Sequence, residues 1–168
     1  MEQLWAPWRL AYVASDKPPA AADPCFICKF LAEERDAHNL IVCRTPLSVV
    51  LLNRFPYNNG HLLVAPHAHK GHLADLLADE VRETMETMQR MLRALDELLR
   101  PDGYNIGLNQ GAAAGAGLPG HLHWHIVPRW NGDTNFMPIL TDTKVIVQSL
   151  DSLQQLLASR LASRHDSG

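Results

Sequence analysis

Three histidines at every second position, His121, His123 and His125, constrain this chain more than any other feature. They lie in Gly120-His-Leu-His-Trp-His-Ile-Val-Pro-Arg129, and the residues between and after them are apolar and rich in strand formers. A strand repeats every two residues, so all three imidazoles would leave one face and the apolar residues would enter a core from the other. An ordinary polar strand face would draw on Thr, Lys, Glu and Ser as well. Imidazole changes charge near neutral pH and offers a nucleophilic or metal-binding nitrogen, so the triplet reads as a site. Pro128 cannot donate to a ladder and is expected to end the strand.

The chain has 168 residues, the size of one domain, with 46% hydrophobic and 20% charged residues. A formal charge of -3 argues for neither a nucleic acid nor an anionic membrane as partner. No apolar run approaches the roughly 20 residues of a membrane helix. The N-terminus lacks the basic start and apolar middle of an export signal, so a cytoplasmic location is expected. Two of the three cysteines form Cys25-Phe-Ile-Cys28, which suggests metal or redox use rather than a disulfide framework.

Residues 1–14 carry Leu4, Trp5, Trp8, Leu10, Tyr12 and Val13 and are expected to pack on the body or on a partner subunit. Residues 15–24 read as a linker. A short helix is expected over 25–36, then strands at 40–43 and 48–52 joined as a hairpin, dense turn chemistry over Phe55–Gly60, and a strand at 61–65. Leucines and methionines from Leu73 to Leu99 recur at three- and four-residue steps, predicting a long amphipathic helix with a break near Ala78-Asp79 and a stop at Pro101-Asp102-Gly103. A strand over 104–108, a Gly/Ala-rich loop over 109–120 and the histidine strand follow. Residues 129–138 read as irregular, and 145–160 as a helix. The order predicts one α+β domain with a mostly antiparallel sheet, one long helix and one C-terminal helix. It divides into an arm and linker (1–24), a core (25–130) and a C-terminal extension (131–168).

Gly60-His61-Leu-Leu-Val-Ala-Pro66, the long helix, Asn109 in its glycine-rich loop and His121-Leu-His-Trp-His-Ile-Val127 together resemble the histidine triad (HIT) family. The opening Leu-Trp-Ala-Pro-Trp-Arg and the trailing Pro-Arg-Trp-Asn-Gly-Asp-Thr-Asn-Phe are similar to one branch, the bacterial diadenosine tetraphosphate phosphorylase group. The resemblance implies a five-stranded antiparallel sheet, a homodimer, and cleavage at the α-phosphate of a nucleotide or dinucleoside polyphosphate through a nucleotidyl-histidine. It implies His123 as nucleophile, with His125 and His61 assisting at the phosphate, and no organic cofactor. A lone pair on one imidazole nitrogen, with the other nitrogen held by an acceptor, suits that role.

Asn109, Gly115, Gly117 and His121 are candidate substrate contacts, because small loop residues let backbone N–H groups approach an anion. Many relatives carry a hydroxyl residue in this loop that aids the leaving group. Here Gly115-Ala-Gly-Leu118 stands instead, which favours inorganic phosphate over water as second substrate, with Arg129 as a further anion contact. Hydrolysis of dinucleoside polyphosphates or nucleoside phosphoramidates is the alternative. The resemblance also extends to galactose-1-phosphate uridylyltransferases in the C-x-x-C, implying a structural zinc on Cys25, Cys28, His69 and His121, with His67 and His72 as competitors for the third place. Two other classes remain in view. A hydrolase holding a metal on the three strand histidines lacks a neighbouring carboxylate base. A nucleotide-binding protein without turnover would not need the intact triad.

Overall fold

The computed structural model describes residues 25–133 and 146–163. The elements are α1 (Phe26–Ala32), β1 (Ile41–Arg44), β2 (Ser48–Leu52), β3 (Leu62–Pro66), a 3-10 turn (Leu73–Asp75), α2 (Ala78–Leu99), β4 (Gly103–Leu108), a second 3-10 turn (Ala112–Ala114), β5 (Trp124–Arg129) and α3 (Leu150–Ala162). The five strands form one sheet in the order β1-β2-β3-β5-β4, and every pairing is antiparallel. The last strand thus lies inside the sheet, between β3 and β4, and β4 is an edge.

Strands β2 and β3 are buried at every position, so their sequences run apolar without alternation. Both faces of the sheet are covered. Val50, Leu52, Leu62, Val64, Trp124 and Ile126 meet Met88, Met91 and Leu95 of α2 and Leu153 and Leu157 of α3. Val49, Leu51, Leu63 and Ala65 meet Ile27, Phe30 and Leu31 of α1 on the opposite side. Each fully buried Leu or Met contributes about 2 kcal/mol by leaving water. This division puts α2 behind the sheet and leaves the α1 side for chemistry.

The departures from the sequence reading have local causes. Leu73, Leu76 and Leu77 do not belong to α2: the first turn is 3-10, and α2 begins at Ala78, where Glu80 accepts the Leu77 N–H (2.7 Å) and pairs with Lys70 (2.8 Å). The helix ends as expected, with Arg100 in the left-handed region (φ 49) before Pro101. Helix α3 starts at Leu150, where the Ser149 hydroxyl accepts the Ser152 N–H, and Val147 ahead of it is exposed. Strand β5 does not stop before Pro128: Pro128 pairs with Tyr104, and its carbonyl, on the side away from β4, accepts from Asn58 Nδ2 (3.1 Å). A strand residue directs its N–H and C=O the same way, and β3 does not reach this level, so no ladder bond is lost. The arm and linker of 1–24 lie outside the described residues, as do 134–145 and 164–168 of the extension. No helix among the described residues is long and apolar enough to cross a membrane.

Candidate active site

Leu63 on the α1 face of β3 is the cross-strand partner of His125, so the imidazole of His125 leaves the sheet on that side. Regular β5 pairing begins only at Trp124, three residues later than the sequence suggests. Upstream, the Leu122 N–H goes to Lys70 O (2.7 Å) and His121 Nε2–H goes to Pro66 O (2.8 Å). The chain is thereby drawn from the ladder onto the segment after β3. Alternation persists regardless: Leu122, Trp124 and Ile126 enter the α2 core, and His121, His123 and His125 face away from it.

Hydrogen-bond partners assign the tautomers. His123 Nδ1 lies 2.9 Å from His121 O, which can only accept, so the proton sits on Nδ1 and Nε2 keeps the lone pair. His61 is fully buried, and its Nδ1 accepts the Tyr57 backbone N–H (3.0 Å). The proton of His61 is therefore on Nε2, and it is donated to His125 Nδ1 at 2.9 Å. His125 in turn carries its proton on Nε2 and presents a donor. Burial, with the neighbouring His123 adding to it, pushes His125 down to about 4, so the ring is neutral at pH 7. A nucleophilic nitrogen and a neutral N–H donor stand side by side, with ring centroids 5.1 Å apart.

Both rings line a cleft of about 580 Å³. Its apolar wall is Phe26 and Phe30 of α1 with Leu51 and Leu63 of the sheet, and Asn109, Gly115, Gly117 and Leu118 contribute from the loop. Asn109, Gly115 and Gly117 are thus brought to His123 as expected. Arg129 is not: its guanidinium is held by Asp133 (2.6 and 2.9 Å) and Asn105 (2.8 Å). His121 is not a cleft residue either, being fully buried with both ring nitrogens engaged. The loop N–H groups are only partly available for an anion, because those of Ala114, Gly115 and Ala116 close the turn onto Gly111 and Ala112. Sequence reasoning missed Asn53, whose Nδ2 lies 3.3 Å from His61 Nδ1, and Tyr57, whose ring stacks on His61 at 4.9 Å. Tyr57 lies in the turn stretch Phe55–Gly60, whose composition says nothing of direction, and Asn53 lies just before it.

Cys25, Cys28, His69 and His121 bring one ligand atom each to within 4.8 Å of one another. Cys25 Sγ is 3.2 Å from His121 Nδ1, and Cys28 Sγ is 3.3 Å from His69 Nδ1 and 3.5 Å from His121 Nδ1. A tetrahedral ion with ordinary zinc–sulfur and zinc–nitrogen bonds requires a sulfur–nitrogen edge of about 3.6 Å. The donors fit that figure. His121 also has its second support, because the Nε2–H bond to Pro66 O turns the Nδ1 lone pair toward the thiols. The close packing of this corner requires glycine at Gly71, where a Cβ would lie 2.6 Å from Pro119 O. His67 and His72 are not among the four. The cluster joins α1, the segment after β3 and the entry to β5, and His121 belongs to it by its ring while its carbonyl sets the tautomer of His123.

Residues 34–132 match the model of the HIT domain family. The AP-4-A phosphorylase of Mycobacterium tuberculosis is 39% identical over 166 residues, covering 96% of this chain and 85% of that protein. The bis(5'-adenosyl)-triphosphatase of Saccharomyces cerevisiae is 30% identical over 108 residues, covering 64% of this chain and 50% of that protein. Among solved structures, a Zn-bound histidine triad family protein from Mycobacterium smegmatis superposes with a TM-score of 0.67 at 28% identity, covering 86% of this chain and 97% of that one.

Proposed function

The chain belongs to the HIT domain family, and from that premise we propose that it is a nucleotidyl-transferring enzyme that cleaves diadenosine tetraphosphate with inorganic phosphate. The observation that carries this reading is the pair of assigned tautomers in the cleft: a lone pair on His123 Nε2 beside a proton on His125 Nε2. His123 Nε2 attacks the α-phosphorus, the bond from phosphorus to the bridging oxygen breaks, and ATP leaves. His125 donates its Nε2–H to the phosphoryl oxygens as charge builds there, and the buried His61 keeps it oriented as a donor. A phosphate oxygen then attacks the adenylylated His123, the P–N bond breaks, and ADP leaves. Splitting one displacement into two lowers each barrier.

Phosphate rather than water is supported by the 39% identical AP-4-A phosphorylase and by a loop, Asn109–Gly120, that carries no hydroxyl side chain. Chromatography of the products with and without added phosphate tests it. ADP and ATP in equal amounts, at a rate that rises with phosphate, are expected. AMP as the main product, at a rate indifferent to phosphate, overturns phosphorolysis, and no cleavage at all overturns the enzyme reading.

The metal of the Cys25–Cys28–His69–His121 cluster is zinc in this reading, supported by two thiols and two imidazoles at tetrahedral spacing and by the Zn-bound relative. Its role is structural: a closed Cys₂His₂ set leaves no ligand position for substrate. The working unit is a homodimer. The α2 stripe does not supply the contact, since the sheet covers it; the exposed edge strand β4, with Ile106 47% exposed, does. Light scattering at micromolar concentration is expected to give twice the chain mass, and a monomer mass would remove this part.

A further inference from the structure

The aromatic residues at the mouth of the cleft are not absorbed by the chemistry just described. Phe55 is 82% exposed and Tyr57 is 57% exposed, and both line the cleft. They are held in place rather than loose. The Phe55 N–H goes to Asn53 Oδ1 (2.9 Å), the Tyr57 N–H goes to His61 Nδ1 (3.0 Å), and Pro56 fixes the backbone between them. Tyr57 uses one ring face against the histidines, at 4.9 Å from His61 and 6.1 Å from His125. No described aromatic ring packs on Phe55. A phenyl ring presented to water by two backbone hydrogen bonds gives nothing to the core.

The cleft already offers an apolar wall for one base, formed by Phe26 and Phe30 of α1 packed on Leu51 and Leu63 of the sheet. With the α-phosphate at His123 and His125, the rest of a two-nucleoside substrate must leave by the mouth. Tyr57 stands at the phosphate end, and two residues of chain span at most about 7 Å, so Phe55 is within reach of the departing half. Arg54, which also lines the cleft, offers positive charge to the linker.

We propose that Phe55 is the stacking surface for the second nucleobase of a dinucleoside polyphosphate, a subsite that distinguishes two-nucleoside from one-nucleoside substrates. This rests on the function proposed above. It predicts selectivity that stays with the leaving nucleotide and leaves the nucleotidyl transfer to His123 unaltered. Stacking accepts any base, so the subsite favours a second nucleoside without choosing which one.

The test compares substrates that share the reacting phosphorus. Diadenosine tetraphosphate has the second base. ADP does not, and its exchange with labelled inorganic phosphate runs through the same adenylylated His123: the β-phosphate leaves, and a labelled phosphate returns. Phe55→Ala is expected to raise KM for diadenosine tetraphosphate about tenfold, with KM for ADP in exchange within twofold of wild type. Phe55→Trp, which keeps a stacking face, is expected to retain wild-type KM for both. Equal effects on the two substrates, or no effect on either, overturn the subsite. So does a change of oligomeric mass in Phe55→Ala, which would assign the ring to a subunit contact. Wild-type protein that cleaves neither substrate would instead overturn the proposed function, and the two failures are thereby distinct.

Discussion

Replacing His125 by asparagine tests the electrostatics of the site through folding stability. Burial holds this ring down to about 4 in the folded protein, against 6.5 for an ordinary imidazole. Between those values the unfolded chain takes up a proton that the folded chain refuses, so the unfolded state binds more protons and stability falls as pH falls. The full difference corresponds to about 3 kcal/mol, at about 1.4 kcal/mol per pH unit. Of this, about 2 kcal/mol is expressed between pH 7 and pH 5. Because the ring lines an open cleft, water screens part of it, leaving about 1–2 kcal/mol. In His125→Asn the side-chain oxygen can still accept the His61 Nε2–H, and no group titrates at that position. Urea denaturation of both proteins at pH 7 and pH 5 is the assay. The acid sensitivity of the Cys/His cluster is common to both and cancels in the comparison. Wild type is expected to lose about 1–2 kcal/mol more than the variant on acidification. Parallel losses would refute the reasoning, since they would mean that the folded environment does not resist charging His125.

His123→Gly is expected to lower turnover of diadenosine tetraphosphate about a thousandfold or more while nucleotide binding persists, and activity above a hundredth of wild type would reject His123 as nucleophile. Metal analysis is expected to find about one zinc per chain, and Cys25→Ser with Cys28→Ser is expected to lower the melting temperature by about 10 °C. Fully stable protein purified without metal would remove the zinc. Gly60→Ala places a Cβ 2.7 Å from Leu99 Cδ1 and 3.1 Å from Pro128 Cγ at a φ of +76. Left-handed strain of about 1 kcal/mol and overpacking of about 1–3 kcal/mol together predict a loss of about 2–4 kcal/mol in urea denaturation, and a loss under about 1 kcal/mol would show that the α2 leucines yield freely.

Much of the fold was legible because its signals are local. The period of two in His121–Ile126 reports which side chains share a face even where ladder pairing has not begun, since alternation needs only extended backbone. The three- and four-residue steps of α2 report its buried stripe, and Pro101-Asp102-Gly103 its end. The bounds of β5 were less legible. They depend on how far β3 reaches and on Lys70 and Pro66, whose carbonyls draw Leu122 and His121 out of the sheet.

Residue types and spacing by themselves determined that three histidines would face one way, that a fourth would follow a turn, and that a C-x-x-C would want two more ligands. Only the tertiary structure decided which nitrogen of each histidine holds its proton, because a tautomer is set by the atom opposite it, and those atoms come from Tyr57, His61 and the carbonyls of His121 and Pro66. The resemblance already implied a divided triad, and the structure supplies its geometry: His121 turns its ring to Cys25 and Cys28, while His123 and His125 line the cleft. Arg129, four residues beyond His125 and plausible as an anion contact, is held instead by Asp133 and Asn105. A charge pairs with the nearest partner that the packed chain supplies, and sequence distance does not contain that information.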